Sequence, residues 1–242
     1  MLAEALQFIS NIVKKGEEPK RIDIEERIYF DRELKPLYNP TPTALDVTTL
    51  SGLVTFLSEH QGDVDRFSPL IIHVVNPSFV RVISHMEEPW WQRHELMRAI
   101  WSNTGLRFGV WYDHEEFIVN LQAKFVLNDN AKLLLDILGN IEDGTVAQWA
   151  DDGTAQQVTI KTGLATKGVC KVPNPVVLAP FRTFPEIIQP ESPFILRMKS
   201  QKEGRPQIAL FNCDNNAWEL EAMASIQRYL ATALGEEWTI IA

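Results

Sequence analysis

Six prolines, Pro173, Pro175, Pro180, Pro185, Pro190 and Pro193, crowd one short stretch of this 242-residue chain. Each fixes φ at about −65°, removes a backbone donor and turns the residue before it away from helix. Such a stretch cannot be helical, and within a sheet it is expected to supply only edge strands and extended links. The surrounding residues agree. Gln156–Thr162 alternates Val158 and Ile160 with Thr159 and Lys161, and Phe194–Lys199 and Gln207–Asn212 read as two further strands. A closing amphipathic helix, Ala217–Leu234, is expected to bury Leu220, Met223, Ile226, Tyr229 and Leu230 and to stop at Gly235.

Upstream, Leu2, Ala5, Leu6, Ile9, Ile12 and Val13 recur at helical spacing, which predicts an amphipathic helix over 2–15. Arg21–Phe30 alternates like one half-wet strand, and Leu34–Pro42 is a proline-bearing connector. Thr48 or Thr49 can cap a helix carrying Leu50, Leu53, Val54 and Leu57, with a turn after it at Gln61-Gly62-Asp63. Leu70–Val75 and Phe79–Ser84 form a hairpin around Asn76-Pro77-Ser78. Periodicity leaves Arg93–Trp101 open between strand and short helix. Asp113-His114-Glu115-Glu116 has the form of a capping box before the apolar positions Phe117, Ile118, Leu121, Phe125 and Val126, and Asn130–Ile141 supplies another helix.

No regular strand–helix alternation runs through this order. It predicts an α+β fold of mainly antiparallel sheets and packed helices, not a doubly wound one. A soft boundary near Gly139, Gly144 and Gly153 separates an N-terminal α+β region, 1–142, from a strand-rich region with a closing helix, 143–242; one continuous domain is the other reading.

The chain is acidic, with 32 Asp and Glu against 23 Lys and Arg for a net charge of −9. That balance works against clustered cation–phosphate contacts, so nucleic acid is not an expected partner. The N-terminus lacks the segments of a signal peptide, and no apolar run approaches the roughly 18 residues that span a bilayer. A cytoplasmic protein away from membranes is expected, with Cys170 and Cys213 as buried thiols. The 12 glycines form neither a Gly-x-Gly-x-x-Gly nor a Walker pattern, and no Gly-x-Ser-x-Gly elbow occurs. No cofactor is expected on that ground.

Four groups of residues remain as candidate chemistry. Asp151-Asp152-Gly153 reads as a turn before a strand; the alternative is a pair of oxygen ligands for Mg²⁺ or Ca²⁺, completed by Glu142, Asp143 or Glu186. Arg182, four residues before Glu186, either holds an anion or packs its stem on Phe181 or Phe184 while its fork pairs with a carboxylate. His73 and His85, on the two hairpin arms, can converge on a metal near Glu87 and Glu88, although strand histidines more often simply pack. Trp90, Trp91, Trp101, Phe108, Trp111 and Tyr112, with Arg93, Arg98 and Arg107 among them, offer a stacking surface for a ligand or else a core and subunit contact.

Asp151-Asp152-Gly153 through Gln157-Val158, then Val172-Pro173-Asn174-Pro175 and Leu178-Ala179-Pro180-Phe181-Arg182-Thr183-Phe184, resembles a group of uncharacterised proteins from tailed phages and prophages of Gram-positive bacteria. The similarity extends through Gln189-Pro190-Glu191-Ser192, Phe194-Ile195-Leu196-Arg197 and Ala217-Trp218. The order of elements resembles, more faintly, the YfdQ-like prophage proteins. The resemblance implies an accessory protein expressed inside a host cell and carries over no catalytic residue. The expected function is binding without catalysis, as a homo-oligomer, with a host or phage protein or a small ligand as partner. Arg182, Glu186, Trp90, Trp91, Arg93 and Trp111 are the candidate binding residues. The alternative is a divalent-metal phosphoesterase or nuclease using Asp151, Asp152 and Glu186.

Overall fold

The computed structural model describes residues 5–10, 13, 21–24, 27–30, 43–59, 61–67, 69–86, 91–102, 105–141, 157–161, 167–199, 205–235 and 237–242. The chain forms two compact units, Met1–Thr41 and Pro42–Ala242. In the first, residues 5–10 are helical (α1), within the predicted 2–15. The expected single strand over Arg21–Phe30 is instead an antiparallel hairpin of β1 (Arg21–Ile24) and β2 (Arg27–Phe30), with Ile24 opposite Arg27. The connector Leu34–Pro42 lies outside the described residues.

The second unit is α+β. Its five-stranded sheet runs β13-β4-β5-β6-β3, from β3 (Leu45–Val47), β4 (Leu70–Asn76), β5 (Phe79–Ser84), β6 (Glu95–Ile100) and β13 (Thr239–Ile241). The three central strands pair antiparallel, and both edge strands pair parallel to their neighbours. The β4–β5 hairpin turns where the sequence places it, because Asn76 Oδ1 accepts from the Ser78 N–H at 2.9 Å and closes a side-chain turn. Helix α2 (Leu50–Glu59) starts at Thr49, whose Oγ1 accepts the Gly52 N–H at 3.1 Å. Leu50, Leu53, Phe56 and Leu57 bury its apolar side against Ile72, Val80 and Val82 of the sheet.

Gln61-Gly62-Asp63 is not a turn but the start of α3 (Gln61–Phe67). Gly62 costs a helix only about 1 kcal/mol, and Val64 and Phe67 pack against the neighbouring core.

A second sheet runs β12-β11-β10-β7, all antiparallel, from β7 (Phe125–Val126), β10 (Val176–Pro180), β11 (Ser192–Lys199) and β12 (Gln207–Asn212). Helices α4 (His114–Lys124) and α5 (Asp129–Gly139) cover it, with Phe117, Leu121, Leu134 and Leu138 buried against Val176, Leu178, Phe194 and Leu196. Asn128 caps α5 by accepting the Ala131 N–H at 2.9 Å. Asp113 precedes α4 without a side-chain cap; its carboxylate takes Gln207 Nε2 at 3.2 Å, so the expected capping box does not form.

The proline-rich strands are not edges either, since β10 and β11 are the two inner strands. The Pro193 carbonyl accepts from Cys213 N, so its backbone polar groups face away from β10, just beyond the end of β12. Phe181 N donates to Lys124 O, which puts the missing Pro180 donor on the side where β11 begins only at Ser192. Neither proline removes a bond from the ladder.

The predicted 156–162 strand is β8 (Gln157–Lys161), and it pairs antiparallel with β9 (Lys167–Lys171), a strand not expected from the sequence. Helix α6 (Ala217–Leu234) ends at Gly235, φ +98°, as predicted. It buries Ala222, Ile226 and Leu230, the last two in the five-stranded sheet's core, with Met223 and Tyr229 partly covered. Leu220, expected inside, is 74% exposed, about 120° round the helix from that line. Among the described residues no helix is long and apolar enough to cross a membrane.

Candidate functional site

The segment from Phe181 to Glu191 leaves β10, crosses to the core of the five-stranded sheet, and returns to β11. Phe184, fully buried, and Ile187 anchor it there. Its shape is templated by Gln189, whose Oε1 accepts the N–H of Arg182 at 3.1 Å and of Thr183 at 3.3 Å while Nε2 donates to Phe184 O at 3.0 Å. Thr183 Oγ1 donates to Pro77 O in the β4–β5 turn and pins the loop to the other sheet.

Arg182 is 4% exposed. Its Nη2 donates to Pro190 O at 3.3 Å and to Ser192 Oγ, and the Ser192 hydroxyl in turn donates to Asp214 Oδ2. The guanidinium lies 4.1 Å from the centre of the Trp218 ring and 5.9 Å from that of Phe194, a cation–π arrangement. Its expected packing on Phe181 or Phe184 and its direct carboxylate pair are replaced by these two rings and a serine relay. Nε and Nη1 are buried with no hydrogen-bond partner. Burial lowers the pKa of Arg182 to about 10, against the opposing pull of Asp214, Glu219 and Glu221, so it stays charged at neutral pH.

Glu186 does not join Arg182. Its Oε1 accepts the N–H of Ser51 at 3.2 Å and its hydroxyl at 3.3 Å, satisfying a free donor in the first turn of α2.

Arg182 stands in the wall of a cleft of about 560 Å³. Phe108, Phe181 and Trp218 give it aromatic sides, and Arg107, Asn212 and Asn216 contribute polar groups. The first turn of α6 reaches the cleft through a tight turn in which Asn215 and Asn216 take left-handed backbone, φ 50° and 62°. Asn tolerates that region better than most residues. Asp214 holds the turn, accepting the Asn216 N–H at 3.1 Å on Oδ1 and the Ala217 N–H at 3.0 Å on its carbonyl. The positive end of α6 therefore meets a buried guanidinium at one cleft, with Asp214, Glu219 and Glu221 offsetting part of that positive charge.

Of the other candidates, Trp91 is 64% exposed with φ 54°, and Arg93 donates to Ser84 O at 3.0 Å. Trp111, 39% exposed, meets Phe211 edge-on at 6.4 Å. Trp101 packs on the first core and Phe108 and Tyr112 on the second, so the aromatic run is divided between two cores. Trp90, Asp151 and Asp152 lie outside the described residues. His73 faces Arg81, whose Nε donates to His73 Nδ1 at 3.2 Å, and burial with that cation lowers the His73 pKa. His85 is opposite Pro69 instead, so the two histidines do not converge. Among the described residues no three His, Cys, Asp or Glu side chains gather for a metal. Cys213, expected buried, is exposed and free, at the end of β12.

Compared with protein-family models, with curated proteins and with solved structures, the chain matches none.

Sequence reasoning singled out Arg182 but missed Gln189, Ser192, Asp214 and Trp218. The one local signal for the last two was Asp214-Asn215-Asn216, a turn-rich triplet directly before a helix.

Proposed function

We propose that this chain works by binding, and that the cleft beside Arg182 takes a small ligand joining a flat apolar body to a negative charge. The observation that carries this reading is the buried guanidinium with Nε and Nη1 unpartnered, in the wall of the cleft. A buried cation left so under-bonded is costly, and an anion would relieve it. Arg107 adds charge at the rim, the α6 N-terminus adds its dipole, and Phe108 and Phe181 suit a planar group. Nε and Nη1 are closed to water, so the ligand's charge reaches them only by displacing part of the cleft wall. From the resemblance over 151–197 comes the setting: an accessory protein of a phage or prophage, acting in the host cytoplasm.

Calorimetric titration with benzoate, adenosine 5′-monophosphate and inorganic phosphate tests the reading. Saturable binding of an aromatic anion, with phosphate at least tenfold weaker, is expected. Arg107→Ala, on the surface, should weaken it several-fold, and Trp218→Phe should remove most of the accompanying fluorescence change. Absence of saturable binding by all three probes up to about 1 mM, the scale of weak cellular ligands, refutes it.

A further inference from the structure

We propose that two copies of this chain associate through α6, packed antiparallel about a two-fold axis that passes beside Ala224. Ala217, Leu220, Glu221, Ala224, Arg228 and Ala231 are all exposed. At 3.6 residues per turn they fall within an arc of about 100°, opposite the buried line of Ala222, Ile226 and Leu230. Four of the six are apolar, and Leu220 is 74% exposed. A helix face given wholly to solvent ordinarily carries charged and polar residues.

The order of residues on this face makes it complementary to itself. Ala217, Ala224 and Ala231 recur every seventh position. An axis at Ala224 sets Ala224 against its own copy and Ala217 against Ala231 of the second copy, so small side chains meet all along the contact and the backbones can approach closely. Leu220 then lies against the aliphatic stem of Arg228 of the second copy. Glu221 falls about 1.5 Å along the axis from that same Arg228, within reach of an ion pair made twice by symmetry. Neither Glu221 nor Arg228 makes an ion pair within the chain among the described residues, and both remain available to the second copy. Reversing the direction of one helix places Glu221 beside Glu221 and Arg228 beside Arg228, so the charges select the antiparallel dimer.

Sedimentation equilibrium on the intact chain should give a dimer. In a Cys213→Ser background, Ala224→Cys should form a disulfide between copies on mild oxidation, because only this position sits on the axis. Ala231→Cys alone should not, whereas a mixture with Ala217→Cys should cross-link. Ala224→Glu leaves an exposed helical position helical yet opposes two carboxylates on the axis, and should raise the dimer dissociation constant at least tenfold. Glu221→Arg should weaken the dimer and Glu221→Arg/Arg228→Glu should restore it. A monomer at every concentration, or a dimer indifferent to these substitutions, overturns the proposal.

Discussion

Ser192→Ala deletes one oxygen at a fully buried position, with little change of shape. That oxygen is both the acceptor for Arg182 Nη2 and the donor to Asp214 Oδ2 at 2.5 Å. Hydrogen bonds to charged groups contribute about 1.5–3 kcal/mol each. Asp214 is half-buried and recovers part of its loss from water. Arg182 does not, and its Nη2 keeps only the 3.3 Å contact with Pro190 O. The expected destabilisation is about 2–3 kcal/mol, which for a unit of this size lowers Tm by about 4–12 °C. Urea unfolding followed by circular dichroism should give a lower midpoint at unchanged slope. In an Arg182→Met background the same serine change should cost under about 1 kcal/mol, since the two residues act as one network. A loss below about 0.5 kcal/mol in the wild-type background, or equal losses in both, refutes the relay.

Glu186→Ala should cost about 1 kcal/mol by freeing the Ser51 N–H at the start of α2, and Glu186→Gln should cost less because it keeps an acceptor; both are read from urea midpoints. Arg182 binds its proton more weakly in the folded chain, at about 10, than in the unfolded chain, so as the pH rises through 10 the unfolded chain holds more protons. Its unfavourable contribution is complete below pH 10 and fades as the pH rises through it. Wild type should therefore gain about 1 kcal/mol relative to Arg182→Met between pH 9 and 11; a flat difference contradicts the assignment.

What could be read from the sequence was what neighbours in sequence decide. The β4–β5 hairpin is set by alternation and an Asn-Pro-Ser turn, α6 by periodicity and Gly235, and α2 by a threonine with leucines three and four apart. The failures came where distant residues decide. Gly62 entered a helix because Val64 and Phe67 had a core to reach. Pro180 and Pro193 entered inner strands because their missing donors fall where no partner strand runs, a matter of register and not of composition. Arg182 stood out as a lone cation among aromatics, but the ring it lies on is 36 positions away. Glu186 caps a helix 135 positions earlier, and no local pattern carries that.

The parallel pairing of β13 with β4 has a consequence during synthesis. Thr239 pairs with Ile71, which the ribosome made 168 residues before. At about 5–20 residues per second, the open side of β4 waits roughly 8–30 s for its neighbour. Through that interval the Leu-Ile-Ile-His-Val-Val run of β4 presents unpaired backbone to any nascent chain beside it, a template for pairing with the wrong strand. A cell making this protein quickly, on crowded polysomes, should lose more of it to aggregates than one making it slowly, and a chaperone that covers the β4 edge until Thr239–Ile241 is made should reduce the loss.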